Sequence, residues 1–118
     1  MHRGWIGRIH SLYNCNSEIS PESWIMQPQY EWDEDKARTN LRKHQVSFQE
    51  GATVFNDLLV ATLPDPDHSL DEQRYIAIGR SVRGRILVVV FTERGDKLRL
   101  ISCRKATLQE RKAYEEGF

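Results

Sequence analysis

The most basic stretch of the chain contains two carboxylates, one of which ends an apolar segment. Residues 74–105 contain nine lysines and arginines, whereas their only acids are Glu93 and Asp96. Glu93 closes a strongly apolar segment, and the surrounding arginines are expected to keep its carboxylate ionised. An ionised carboxylate can act as a general base, and an arginine can bind a phosphate through two parallel N–H groups. The pattern therefore indicates acid–base chemistry on a phosphate ester.

Cleavage of an RNA phosphodiester without a metal needs three kinds of group. A base takes the proton from the 2′-hydroxyl, cations stabilise the charged phosphate, and an acid protonates the departing 5′-oxygen. Glu93 fits the base, and Arg74 and Arg104 fit the cations. His44 could be the acid, because imidazole exchanges protons near neutral pH. We expect Glu93→Gln and Arg104→Ala each to lower cleavage without unfolding the chain.

Each of these residues also has a structural explanation. A glutamate at the end of a strand often pairs with a surface arginine, and a single arginine often pairs with an acidic loop. A histidine in the last turn of a helix stabilises the helix dipole. The residue types alone leave both interpretations open.

The spacing of Glu93 and Arg104 raises a difficulty for joint action on one phosphate. A simple hairpin sets Glu93 beside residues 97–98 and Arg104 beside residues 86–87. At about 3.4 Å per residue, the two side chains would then lie up to ~20 Å apart. Strand twist and long side chains would have to close that gap.

A second group of residues could bind RNA without reacting with it. Basic side chains can contact phosphates, and an aromatic ring can stack on a base. The alternatives are a solvated helix face or strand edge for the cations and core packing for the aromatic ring. The RNA-binding candidates are Lys36, Arg80, Arg85, Lys105 and Trp32.

The charge is unevenly distributed along the chain. The formal net charge is zero, but residues 51–72 contain five acids and no lysine or arginine, in contrast to the basic residues 74–105. A fold that separates these segments could present a positive face to phosphate. The alternative is that the arginines only solvate strand edges and turns.

An acidic loop raises the question of a metal site. It contains Asp65, Asp67, His68, Asp71 and Glu72. The loop lacks the glycine of an EF-hand at the required place, and no second group of ligands lies nearby in sequence. We therefore expect a solvated loop, with no metal and no cofactor.

Length and composition restrict the class of protein. The 118 residues suit one domain, and 39% hydrophobic with 29% charged residues is typical of a soluble protein. No apolar run approaches the roughly 18 residues of a membrane span, and no secretory signal is recognisable. Cys15 and Cys103 form neither a disulfide framework nor a zinc ligand set. We expect a cytoplasmic protein with reduced thiols.

The first 25 residues and the rest of the chain have different patterns. Residues 1–25 have no sustained period, which predicts a poorly ordered extension, and Met26 could be the real start of a domain over residues 26–118. A short strand is predicted over residues 30–32. Asp33 then caps a helix over residues 34–44, and Ser47 with Glu50 is typical of the capping box of a second helix.

The second half of the chain predicts a sheet followed by a helix. Strands are predicted over residues 58–63, 74–80, 85–92 and 97–104. Thr107 and Glu110 form a second capping box, and Gly117 ends the helix. The predicted fold is α+β, with two N-terminal helices and a C-terminal helix packed on an antiparallel sheet of four to five strands. We expect all helices on one face and the arginines on the open face.

From Tyr30 onward, the sequence resembles BrnT-type toxins, a branch of the RelE-like ribonucleases. The matching stretches include Glu31-Trp32-Asp33, Lys36-Ala37, Arg42-Lys43-His44, Val46-Ser47-Phe48, Pro64-Asp65-Pro66-Asp67-His68, Val88 to Arg94 and Ile101 to Ala106. The resemblance implies an endoribonuclease toxin of a type II toxin-antitoxin system that inhibits translation and growth. It also implies that Arg74, Glu93 and Arg104 belong to the site.

The resemblance further implies a protein partner. This partner is a BrnA-type antitoxin with a ribbon-helix-helix part, through which the pair reaches operator DNA. Some relatives have a histidine where Phe91 stands, and residues 1–25 match nothing in the family. The alternative function is a catalytically inert relative that binds its antitoxin or RNA and acts as a co-repressor. Glu93 and the arginines favour the enzyme.

Overall fold

The elements of the domain are defined in a computed structural model that describes residues 29–66 and 72–117. The predicted N-terminal extension lies outside the described residues, as do Asp67, His68 and Asp71 of the acidic loop. Within the described ranges, no helix combines the length and the apolarity needed to cross a membrane.

The first helix, α1, spans Glu34–His44, as predicted. The Asp33 carboxylate accepts hydrogen bonds from the backbone N–H groups of Asp35 and Lys36. These bonds lower the pKa of Asp33 and satisfy amides that have no partner within the helix. The helix ends at Gln45, whose φ of 61° lies in the left-handed region.

The second helix, α2, spans Phe48–Ala52 and continues as a 3₁₀ turn over Thr53–Asn56. Ser47 caps it by accepting a hydrogen bond from the backbone N–H of Glu50. The Glu50 side chain accepts hydrogen bonds from Ser81 and Arg85. The Ser47 cap is therefore present, but the predicted capping box is not formed, because the Glu50 carboxylate binds Ser81 and Arg85 instead.

The sheet has five strands in the spatial order β1-β5-β4-β3-β2. They are β1 (Gln29–Glu31), β2 (Ala61–Pro64), β3 (Arg74–Arg80), β4 (Ile86–Arg94) and β5 (Lys97–Lys105). Only the pairing of β1 with β5 is parallel among these strands. The predicted strands are confirmed, with β2 starting later than expected because the residues before it form a turn in which the N–H of Val60 donates to the carbonyl of Asp57.

Side chains alternate between two faces of the sheet. The first face packs against α1 and α2 and carries Ala77, Leu87, Val89 and Phe91. The second face carries Ile78, Ile86 and Val88, which pack against Tyr114 of the C-terminal helix α3 (Leu108–Glu116). The predicted capping box of Thr107 and Glu110 is present at the start of α3.

The expectation that all helices lie on one face is wrong for α3. The chain leaves β5 at Lys105, and the N–H of Ala106 donates to the carbonyl of Ile86. Arg104 projects from the second face, where its guanidinium binds Glu110 in the first turn of α3. This ion pair and the burial of Tyr114 hold α3 against the second face.

Two contacts fix the N-terminal helices to β5. The side chain of Asn40 donates to the carbonyl of Cys103 at 2.8 Å and accepts from its N–H at 3.2 Å, so α1 lies along the outer edge of β5. Gly51 of α2 lies so close to Cys103 that an added Cβ atom would be 2.2 Å from the sulfur. Burial raises the pKa of the Cys103 thiol to about 12, which keeps it protonated.

Candidate nucleic-acid interface

Basic side chains of three strands share the second face. Arg74 and Arg99 both pair with Thr92, whereas Arg104 pairs with Val88. Alternation therefore assigns the following cations to the second face: Arg74, Arg80, Arg94, Lys97, Arg99 and Arg104. Helix α3 covers the apolar side chains at one end of this face and leaves the end with Arg74 and Arg99 open. Six of the nine cations in residues 74–105 therefore share one face, while the expectation that this face is open is wrong at the end that α3 covers.

A β-bulge in β5 brings Arg99 and Arg104 to the same face. Val90 pairs with Ser102, but the next residue, Phe91, pairs with Leu100, so Ile101 is the extra residue. Without it, residues 99 and 104 would point to opposite faces, because side chains alternate with a period of two. The bulge also moves the partner of Arg104 from the predicted residues 86–87 to Val88.

Arg104 is held in a fixed orientation by Glu110. Its two terminal nitrogens donate to the two carboxylate oxygens of Glu110 at 2.8 and 2.9 Å. The Arg104 guanidinium is the main reason that the pKa of Glu110 falls to about 2, and the carboxylate raises the pKa of Arg104. The arginine side chain is still 38% exposed, so other N–H groups remain available for an anion.

A cleft of about 330 Å³ lies between α1 and β5. It is lined by Asp35, Lys36, Thr39, Asn40, Lys43, His44, Ile101 and Ser102. Ser102 shares the second face with Arg104, two residues away on the same strand. The structure thus brings the predicted residues Lys36 and His44 into one cleft, and Ser102 in its lining belongs to the same strand and face as Arg104.

The structure does not bring Glu93 and Arg104 together. Glu93 pairs with Leu98, as the simple hairpin predicted, and alternation assigns it to the first face. Val88, the partner of Arg104 on β4, lies five residues from Glu93. At the usual rise per residue, this separates the two positions by about 17 Å along the strand. Arg74 lies near the same end of the sheet as Glu93, but on the second face. The four predicted catalytic residues therefore do not form one cluster.

Arg85 and Trp32 have structural roles. Nε of Arg85 donates to Glu50 at 3.0 Å, and this bond is the largest cause of the lowered pKa of the buried Glu50 carboxyl. The ring of Trp32 packs edge-to-face on Phe48 with centroids 5.8 Å apart, and its N–H donates to Glu34. The contact of Trp32 matches its core-packing alternative, whereas Arg85 binds a buried carboxylate instead of solvating a strand edge.

Arg80 and Lys105 lie at the end of the sheet that α3 covers. The Arg80 guanidinium is 6.0 Å from the centre of the Tyr114 ring and donates to the carbonyl of Gly84. Lys105 is exposed and pairs with Leu87, which assigns it to the first face. Of these two RNA-binding candidates, alternation assigns only Arg80 to the second face.

Sequence reasoning missed Arg99, Lys43 and Ser102 as site residues. Arg99 shares the second face with Arg74, while Lys43 and Ser102 line the cleft. The alternation of side chains along β5 is the sequence signal that could have identified Arg99. Whether Arg99 shares a face with Arg104, however, depends on the bulge. Among the described residues, no group of three histidine, cysteine or acidic side chains is placed to hold a metal ion.

Comparisons with known proteins point to one family. Residues 32–110 match the family described as the ribonuclease toxin BrnT of type II toxin-antitoxin systems. The fold is similar to the crystal structure of the Brucella abortus ribonuclease toxin BrnT, with 28% sequence identity and a TM-score of 0.51. That match covers 69% of this chain and 99% of the other. No curated protein sequence matches the chain.

Proposed function

Because this chain belongs to the BrnT family of ribonuclease toxins of type II toxin-antitoxin systems, we propose that it is an endoribonuclease that cleaves RNA without a metal. The observation that carries the proposal is the basic second face of the sheet, which adjoins a cleft containing His44 and Lys36. Arginines on one face can hold the RNA backbone, and a half-buried imidazole can transfer protons beside it.

The proposed reaction is attack of the 2′-hydroxyl oxygen on the adjacent phosphorus. The new bond forms as the bond from phosphorus to the 5′-oxygen breaks, leaving a 2′,3′-cyclic phosphate and a 5′-hydroxyl. Arg104 stabilises the charge on the phosphate, while His44 accepts the proton of the 2′-hydroxyl and delivers a proton to the departing 5′-oxygen, so that no net proton is gained or lost. Lys36 binds phosphate from the first turn of α1.

The geometry favours His44 over Glu93 as the proton-transferring group near Arg104. Glu93, the base expected from the sequence, is separated from Arg104 by about 17 Å along the sheet and by the alternation of faces. A group that removes a proton must lie within hydrogen-bond reach of it. Glu93 can be the base only if the scissile phosphate binds at the other end of the sheet.

The deciding experiment compares RNA cleavage by the purified chain with and without EDTA. We expect cleavage to persist in EDTA and the 5′ products to end in a 2′,3′-cyclic phosphate. Cleavage that EDTA abolishes would refute the metal-independent mechanism. RNA binding without any cleavage would favour the inert co-repressor instead.

Membership of this family implies an antitoxin partner. We propose a BrnA-type antitoxin with a ribbon-helix-helix part, which binds operator DNA for the pair and silences the toxin in the cytoplasm. Expression of the chain alone should stop translation and growth. Co-expression of a neighbouring gene for such an antitoxin should restore growth, and the two proteins should co-purify.

A further inference from the structure

Arg74, Thr92 and Arg99 form a row across three neighbouring strands. Thr92 of β4 is the register partner of Arg74 on β3 and of Arg99 on β5. All three share the second face, and adjacent strands are about 4.8 Å apart, so the two arginine backbones are separated by roughly 10 Å. Two guanidinium groups on long side chains can reach one tetrahedral anion across that gap.

Carboxylates contact both arginines but leave part of each arginine side chain exposed. Arg99 donates to Glu31 at 3.2 Å, and the Arg74 and Glu72 side chains are 3.8 Å apart at their nearest charged atoms. The side chains of Arg99 and Arg74 remain 32% and 28% exposed. A guanidinium has five N–H donors, so each arginine keeps donors for a ligand while the carboxylate limits its rotation.

Carboxylates accompany the cations at this end of the second face. Among its described residues, the acids Glu31, Asp33, Asp65 and Glu72 lie near the cations Arg74, Arg94, Lys97 and Arg99. Glu93 does not add to the acids of this face, because alternation assigns it to the first face. An anion at this end would therefore be bound by the remaining N–H donors of Arg74 and Arg99, and not by an excess of positive charge.

We propose that Arg74 and Arg99 form a backbone-phosphate subsite for RNA, separate from the scissile position beside Arg104. Thr92, the β4 partner of both subsite arginines, lies four residues from Val88, the β4 partner of Arg104. This distance is about 14 Å along the strand. The subsite therefore binds a phosphate at least one nucleotide away from the reacting one. This inference rests on the proposed function and assigns Arg74 to substrate positioning. Arg99 is the residue of this subsite that was not predicted from the sequence.

RNA fits this end of the face better than an acidic protein segment does. The half-buried side chains of Ile76 and Val90 lie next to the row on the same face. They offer an apolar surface for a sugar or a base beside the phosphate. A nucleotide supplies both an anion and a flat apolar group, whereas an acidic side chain supplies only the anion.

The test is the binding of a non-cleavable RNA to matched variants. The probe is a fluorescent 2′-O-methyl oligoribonucleotide of about ten nucleotides, measured by anisotropy at several salt concentrations. We expect Arg74→Gln and Arg99→Gln each to raise Kd several-fold and to lower the slope of log K against log salt by about 0.7. Arg83→Gln, which removes a 72% exposed arginine from a turn, is the control and should change neither.

A second measurement separates positioning from chemistry. A dinucleotide substrate cannot reach both positions, so Arg99→Gln should leave its cleavage rate unchanged while raising KM for the longer RNA. Circular dichroism checks that each variant is folded. If Arg99→Gln unfolds because it loses the Glu31 contact, Arg99→Lys replaces it, since lysine keeps the positive charge. We expect Arg99→Lys to recover part of the affinity, since lysine cannot offer the two-pronged contact.

The outcomes distinguish this inference from the proposed function. If the wild-type chain cleaves RNA but Arg99→Gln binds the probe as tightly as Arg83→Gln, the subsite is wrong and the ribonuclease proposal stands. If the wild type cleaves no RNA but Arg74→Gln and Arg99→Gln weaken probe binding as predicted, the subsite stands and the ribonuclease proposal fails. Variants that lose only antitoxin binding would make this face a protein interface and overturn the RNA subsite.

Discussion

Both carboxylate oxygens of Glu110 accept hydrogen bonds from the guanidinium of Arg104, which fastens the first turn of α3 to β5. One of these oxygens also accepts from the backbone N–H of Thr107 in the capping box. Glu110 therefore serves two purposes, since it caps the helix and orients the guanidinium of Arg104. This double use connects the stability of α3 to the geometry of the candidate site.

The first prediction concerns acid stability. The pKa of Glu110 falls to about 2 in the folded chain from a usual value of 4.5, so its stabilisation is present above pH 4.5 and is lost as the pH falls towards 2. We expect this loss to be on the order of 1–2 kcal/mol, after allowance for partial exposure. The melting temperature of the wild type should therefore decrease more steeply below pH 4.5 than that of Glu110→Gln. Parallel curves for the two proteins would contradict the role of this carboxylate.

The second prediction compares His44→Gln with Glu93→Gln. We expect His44→Gln to lower the cleavage rate constant by about 10²-fold or more, which is typical for loss of a general acid or base. Glu93→Gln should retain most of the activity, because Glu93 lies on the other face and far from Arg104. Single-turnover cleavage with saturating enzyme measures both effects. Loss of activity in Glu93→Gln alone would place the catalytic centre at the opposite end of the sheet.

The third prediction tests the packing of α2 on β5. Gly51→Ala would set a methyl group 2.2 Å from the Cys103 sulfur, so we expect it to lower the free energy of unfolding by about 1–3 kcal/mol. Adding Cys103→Ala removes the sulfur and should restore much of that loss, as measured by urea unfolding. If Gly51→Ala is as stable as the wild type, the close approach of the two segments is wrong.

The fourth prediction concerns the N-terminal segment. The family match starts at residue 32 and the first described strand starts at Gln29. We therefore expect a chain that begins at Met26 to have the melting temperature and the RNA cleavage of the full chain. A large decrease in either quantity would show that residues 1–25 contribute to the folded domain.

Local sequence signals predicted the elements of this fold well. Asp33 and Thr107 cap their helices through bonds to amides within three residues, and such contacts can be recognised from spacing alone. The strands around the two hairpin turns follow from alternating or continuous apolar runs. Long-range contacts were not predictable in this way: Arg85 binds Glu50, which lies 35 residues earlier in the chain.

The candidate site was predicted only in part because its geometry depends on register. His44 and Lys36 share a helix, so their common location follows from the element itself. The common face of Arg99 and Arg104 depends on one extra residue, Ile101, and no local pattern indicates which residue of a strand will bulge. The side of the sheet that α3 covers depends on the same register, because Arg104 binds the first turn of that helix.

The bonds of Asn40 to Cys103 have a consequence for self-association. Strand β1 covers only the first three residues of β5, through Arg99. Farther along, the N–H and carbonyl of Cys103 bond to the side-chain amide of Asn40, in the positions that another strand would occupy. An open strand edge is a template for aggregation. Asn40 therefore protects the outer edge of β5 from pairing with a second molecule.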